Sequence, residues 1–195
     1  MDRQIPSQFL GRLILVLSFL FLSSCAYRFS NLDRELPGGY SVVSVPIFKN
    51  LTYEPGIETE FTNALVLELT RSKKISVTAK KSAPVVIEGR IESIQYVPFY
   101  QQTSSEVPTL PEGTALNSEY RILITVSLQM TRISDRKKIW SGRFQGERRY
   151  SAPRVGSAGL NSVNPLYNQS SRKINIAEIA RDMMLEAHNQ LTENF

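Results

Sequence analysis

The clearest hydrophobic pattern in the chain is an alternation. Tyr120, Ile122, Ile124, Val126, Leu128 and Met130 are interleaved with Arg121, Thr125, Ser127, Gln129 and Thr131. A period of two places the first set on one face of a strand and the second on the other, so one face is buried and the opposite one meets water or a partner. Ser134–Lys138 reads as a turn, and Trp140, Phe144 and Tyr150 mark the returning strand of an antiparallel hairpin. Gly142 and Gly146 in that strand mark bulges or the close approach of a neighbouring backbone. Upstream, apolar residues fall at Val85, Ile87 and Ile91 and then change phase to Ile94 and Tyr96, which predicts a β-bulge near Glu92 or Ser93.

A second period, near 3.6 residues, appears twice. Ile57, Phe61, Ala64, Leu65 and Leu69 predict a helix over Ile57–Arg71, with Glu58 and Glu60 in the first turn and Arg71 in the last, where each complements the helix dipole. Ile176, Ile179, Ala180, Met183, Ala187 and Leu191 predict a closing helix from Ile174 or Asn175 to Leu191. Tyr40–Phe48 reads as a strand that sits at an edge or bulge at Pro46, because proline cannot donate to a ladder. Ile75–Ala79 is a further short strand, and strand, helix and strand in this order favour a right-handed parallel crossover. Pro98–Ser118 and Ser151–Ser171 lack periodicity and read as long loops. The sum is an α+β fold: a two-layer sandwich with two helices packed on one face of a mixed, largely antiparallel sheet of about four to five strands.

The first 25 residues follow a different pattern. Arg3 and Arg12 precede a short apolar run, Leu13–Leu22, which leads into Leu22-Ser23-Ser24-Cys25. The run is too short to span a bilayer and reads as a secretory signal. The stretch resembles a bacterial lipobox, which implies removal of residues 1–24 and acylation of Cys25. Residues 25–39 then form a lipidated N-terminal arm and residues 40–195 a single domain. Cys25 is the one cysteine, so a lipidated chain keeps no thiol for disulfides and holds together by its core alone. Stable attachment through two or more acyl chains makes the expected membrane contact an anchor, not a span.

Formal net charge is +5, a mild excess that suits acidic headgroups or phosphates. Without a long basic run or an aromatic-and-basic RNA motif it does not argue for nucleic acid. The sole histidine, His188, reads as a solvated or partly packed helix residue. No Gly-x-Ser-x-Gly elbow, phosphate loop or zinc-spaced Cys/His pair is present, so the chain reads as a binding protein, not an enzyme, with no cofactor.

Several strings in order resemble the lipopolysaccharide-assembly lipoprotein family, LptE. They are Tyr27-Arg28-Phe29, Val45-Pro46-Ile47-Phe48-Lys49-Asn50, Gly56-Ile57-Glu58, Glu88-Gly89-Arg90-Ile91, Tyr120-Arg121 and Ile139-Trp140-Ser141-Gly142. The resemblance implies an outer-membrane lipoprotein on the periplasmic side that plugs the large β-barrel LptD, helps it assemble and assists lipopolysaccharide transport to the outer leaflet. It also implies basic lipopolysaccharide contacts in loops at one end of the sheet. Pro98–Ser118 contains no Lys or Arg, so the nearest substitutes are Arg136, Lys137, Lys138 and Arg143. A charged hairpin turn that only keeps an edge soluble is the plainer reading of the same residues. Arg148 and Arg149 read as ordinary strand-end charges. Anchor and fold are equally compatible with a periplasm-facing lipoprotein that activates or scaffolds a cell-wall synthesis enzyme.

Overall fold

The computed structural model describes residues 35–103, 105–106, 112, 115–151, 154–157, 160–163 and 165–193. The lipobox, Cys25 and most of the expected arm lie outside them. Eight strands and two α-helices follow in the order β1 (Val42–Ser44), β2 (Lys49–Asn50), α1 (Ile57–Arg71), β3 (Ser76–Val77), β4 (Val85–Thr103), β5 (Ala115–Arg132), β6 (Lys138–Ser151), β7 (Arg154–Ser157), β8 (Leu160–Val163) and α2 (Pro165–Thr192). The main sheet is ordered β3-β1-β4-β5-β6, with β2 paired to β4 above β1, and so holds six strands. Strands β1 and β3 are parallel across the α1 crossover, and β4, β5 and β6 are antiparallel.

Both helices cover one face. On α1 the buried set is Ile57, Phe61, Ala64, Leu65, Glu68 and Leu69; the charge of Glu68 is met by Arg71 at 2.7 Å. On α2 it is Ile176, Ile179, Ala180, Met183, Met184, Ala187 and Leu191. Beneath them lie Ile87 and Ile91 of β4, Ile122, Ile124, Val126, Leu128 and Met130 of β5, and Phe144 of β6. Gly146 of β6 lies directly under α2: a Cβ there would stand 2.5 Å from Met183 Sδ and 2.7 Å from Ile179 Cγ2. The close approach expected at this glycine is therefore made by helix side chains instead of backbone.

The phase change in β4 is a bulge. Ile91 pairs with Val126 and Ser93 with Thr125, leaving Glu92 as the extra residue, after which Ile94 and Tyr96 return to the helix side.

Other expectations need correction. The chain over Tyr40–Phe48 is interrupted around Pro46, so that β1 and β2 meet β4 separately and the sheet gains a strand. Pro98–Ser118 is not one loop: β4 and β5 continue pairing as far as Thr103 and Ala115. Phe99 and Tyr100 there are both 44% exposed, and residues that face no core leave no alternation in the sequence. Ser151–Ser171 contains the β7–β8 hairpin and the first turns of α2. That helix begins at Pro165, a residue whose fixed φ and missing N–H suit a first helical position. Its early residues Gln169 and Ser170 are exposed, so the apolar stripe reports the helix only further along. Of the two readings given for His188, packing holds: it is 3% exposed.

Candidate functional site

Among the described residues, no second layer covers the sheet face away from the helices. Pairing carries one line of residues straight across it: Lys49 of β2 opposes Arg90 of β4, Arg90 opposes Ser127 of β5, and Ser127 opposes Arg143 of β6. Paired residues on adjacent strands point to the same side, and neighbouring strands lie about 4.8 Å apart, so three cations and a hydroxyl occupy a row of roughly 14 Å. Alternation fixes their direction. Phe48 and Asn50 point inward, Phe48 into the core and Asn50 to the Glu58 carboxylate at 2.9 Å, so Lys49 between them faces out.

Arg143 is balanced by the bulge residue: its Nη2 lies 2.7 Å from Glu92 Oε2. Lys49 and Arg90 make no ion pair among the described residues. Like charges directly opposed across strands destabilise a sheet, so this pair marks the row as a place for an anion. A groove of about 740 Å³ runs over it, walled by Pro46 and Ile47 and floored by Ser127, Gln129, Ser141 and Arg143. Ile47 is 65% exposed. Cations, hydroxyls and amides beside an apolar wall provide the chemistry to hold a phosphorylated or carboxylated polar ligand.

The four expected basic contacts do not form one patch. Arg136, Lys137 and Lys138 are together and exposed in the β5–β6 turn, whereas Arg143 lies five residues along β6, roughly 17 Å away at strand spacing. The turn is braced by Asp135, which accepts from the Lys137 N–H at 3.1 Å and pairs with Arg132 at 2.9 Å. The Lys137 N–H and then the Arg132 charge hold the Asp135 carboxyl below its ordinary range. Lys49 and Arg90 went unrecognised because only the parallel register of β2 on β4 brings them beside each other. The signal in the sequence is Lys49 directly after Phe48 in an alternating stretch, which already assigns it to the outer face.

Arg148, Arg149 and Glu54 are tied into the fold. Arg148 crosses from β6 to α2, pairing with Glu178 and reaching Asp182 at 3.9 Å, while Arg149 lies 3.7 Å over the Phe99 ring. Glu54 accepts the Tyr96 hydroxyl at 2.7 Å and approaches Arg172 of α2 at 3.7 Å. Burial, then the Glu54 hydrogen bond, pushes the Tyr96 phenol well above its usual pKa. Among the described residues no group of three His, Cys, Asp or Glu side chains is placed to hold a metal ion, and no helix is long and apolar enough to cross a membrane.

The family described as LptE, lipopolysaccharide-assembly, matches residues 40–192. Compared with curated protein sequences, the chain matches none. Solved structures with similar folds include rare lipoprotein B from Shewanella oneidensis (13% identity, 77% of this chain and 89% of that one, TM-score 0.42). The minor lipoprotein from Acinetobacter baumannii is similar at 16% identity, over 78% of this chain and 91% of that one, TM-score 0.42. The PelC dodecamer protein from Paraburkholderia phytofirmans is similar at 14% identity, over 82% and 93%, TM-score 0.46.

Proposed function

Because the chain belongs to the LptE family and has a role in lipopolysaccharide assembly, we propose that it is an outer-membrane lipoprotein, anchored through Cys25 on the periplasmic side, that plugs and helps assemble the LptD barrel. In that position it assists the passage of lipopolysaccharide to the outer leaflet. The observation that carries this reading is the uncovered sheet face with its cationic row. A face of Lys49, Arg90, Ser127, Gln129, Ser141 and Arg143 is wetted by a water-filled lumen at no cost, whereas an apolar face there would be driven into contact elsewhere.

Lipopolysaccharide phosphates are held by Arg143 together with Lys49 and Arg90, guanidinium groups gripping bidentately and the lysine acting as a point charge. Arg136, Lys137 and Lys138 stand apart as a second basic cluster. Purifying the native lipoprotein in mild detergent and identifying what accompanies it tests the main claim. Recovery of a large outer-membrane barrel is expected; recovery of a cell-wall synthase in its place would replace this reading with that of an activating lipoprotein.

A further inference from the structure

Beside the cationic row the protein has a second groove, of about 410 Å³. Leu51 and Tyr53 form one wall, and Glu92, Ser93 and Gln95 of β4 line it with a carboxylate, a hydroxyl and an amide. Glu92 joins the two grooves. Its Oε2 holds Arg143 of the row at 2.7 Å, and a carboxylate with two oxygens and about four lone-pair positions keeps capacity to accept from a ligand hydroxyl. Across the sheet the floor continues in kind: Ser93 opposes Thr125, and Thr125 opposes Gln145. Thr125 stands two residues along β5 from Ser127, so this polar row and the cationic one lie roughly 7 Å apart.

Tyr53 is held out over the groove by its own loop. Its relative exposure is 105%, and Leu51 is 50% exposed. Residues 51–54 are braced at both ends. The Asn50 side-chain oxygen accepts the Thr52 N–H and the Thr52 hydroxyl, each at 2.8 Å, and Asn50 Nδ2 donates to the Glu54 carbonyl at 2.8 Å. The Glu54 N–H donates to Thr52 Oγ1 at 3.2 Å, and the Glu54 carboxylate accepts from Tyr96. An aromatic ring on a fixed loop meets a ligand with little conformational entropy left to lose.

We infer that this second groove is a saccharide subsite. Tyr53 stacks on the C–H face of a pyranose ring, Glu92, Ser93 and Gln95 hydrogen-bond its hydroxyls, and a phosphate on the same or the adjoining sugar lies on the row of Lys49, Arg90 and Arg143. A pyranose has a face of C–H groups and a rim of hydroxyls, so it calls for one aromatic wall with donors and acceptors around it. An acyl chain in the same place would press hydrocarbon against the Glu92 carboxylate and the Gln95 amide, at a cost in lost hydration. The inference rests on the reading of the row as a phosphate site and gives the sugar part of that ligand a place of its own.

The mature lipoprotein in mild detergent tests this by calorimetric titration with three probes: fully deacylated lipopolysaccharide, the same glycan after phosphatase treatment, and inorganic pyrophosphate. Tyr53→Ala is expected to weaken both glycans about fivefold, equally at low and high salt, and to leave pyrophosphate binding unchanged. Tyr53→Phe keeps the ring and should bind as the parent does. In proton spectra of the bound glycan, sugar C–H signals should move upfield under the Tyr53 ring, and the shift should vanish in Tyr53→Ala. Arg90→Gln should weaken pyrophosphate and the phosphorylated glycan, most at low salt. If Tyr53→Ala binds both glycans as tightly as the parent while Arg90→Gln weakens the phosphorylated one, the subsite falls and the phosphate row stands. Binding of pyrophosphate but of neither glycan by the parent has the same meaning, and binding of none of the three overturns row and subsite together. Loss of a co-purifying barrel from Tyr53→Ala, with glycan affinity intact, assigns the ring to a protein contact and also overturns the subsite.

Discussion

Tyr96 and Glu54 meet at 2.7 Å, phenol to carboxylate, although 42 residues separate them. The contact joins the loop before α1 to the middle of β4, and Arg172 at 3.7 Å from the same carboxylate adds α2. Tyr96→Phe keeps the ring and removes the donor, leaving a largely buried carboxylate short of a partner. Loss of about 1–2 kcal/mol is expected from urea unfolding.

The same pair predicts an alkaline signature. The Tyr96 phenol is raised by burial and by Glu54, so the folded protein holds this proton more tightly than the unfolded chain. Its contribution is complete below the ordinary phenol pKa of about 10 and is lost as pH rises beyond it. Tyr150, raised chiefly by burial, acts in the same sense. Unfolding midpoints above about pH 10 should therefore fall less steeply in Tyr96→Phe than in the parent, with a residual slope from Tyr150.

Gly146→Ala is expected to destabilise by about 1–3 kcal/mol, since the new methyl meets Met183 and Ile179 and must push α2 outward. Adding Met183→Ala should recover part of the loss. A double-mutant cycle in which the two changes simply add would show that the helix does not rest on this glycine.

Arg148→Ala removes the link from β6 to Glu178 and Asp182. The groups are more than a third exposed, so solvent screening limits the cost to about 0.5–1 kcal/mol. Thermal melts should show the difference shrinking as salt is raised.

Lys49→Gln and Arg90→Gln separate stability from binding. Each relieves a cross-strand repulsion and is expected to be neutral or stabilising by about 0.2–1 kcal/mol, while weakening lipopolysaccharide binding, most clearly at low salt. Arg143→Glu should weaken binding further. Melting curves and binding isotherms on the same preparations check both halves; unchanged affinity in all three would remove the row from the ligand path.

Replacing Cys25 by Ala should abolish metabolic labelling of the protein with palmitate. Residues 40–192, which hold the whole family match, do not include this position.

The residues that face the core announced themselves. Burial on one side forces a period on the sequence, so the Ile122–Met130 alternation, the α1 stripe and even the slip at Glu92 could be read in advance. Residues beyond the helical cover carry no such imprint, which is why the outer reach of β4 and β5 and the opening turns of α2 looked like loops. The candidate site was less legible still. Arg143 was visible as a strand cation, but its companions come from β2 and β4, and a lateral neighbour in a parallel pair leaves no mark on either strand alone. The turn cations were grouped with Arg143 by nearness in sequence, and strand geometry separates them.

The extra residue in β4 also carries a charge. Glu92 acts as a phase shifter: before it, odd-numbered residues of β4 face the helices, and after it even-numbered ones do. Deleting it would not turn the strand over, because Ser93 would then follow Ile91 directly, opposite Thr125, and Ile94 and Tyr96 would keep facing the helices. What the deletion removes is the carboxylate beside Arg143, leaving Lys49, Arg90 and Arg143 in one row without it. One inserted residue thus sets the charge of the open face while the interior keeps its register.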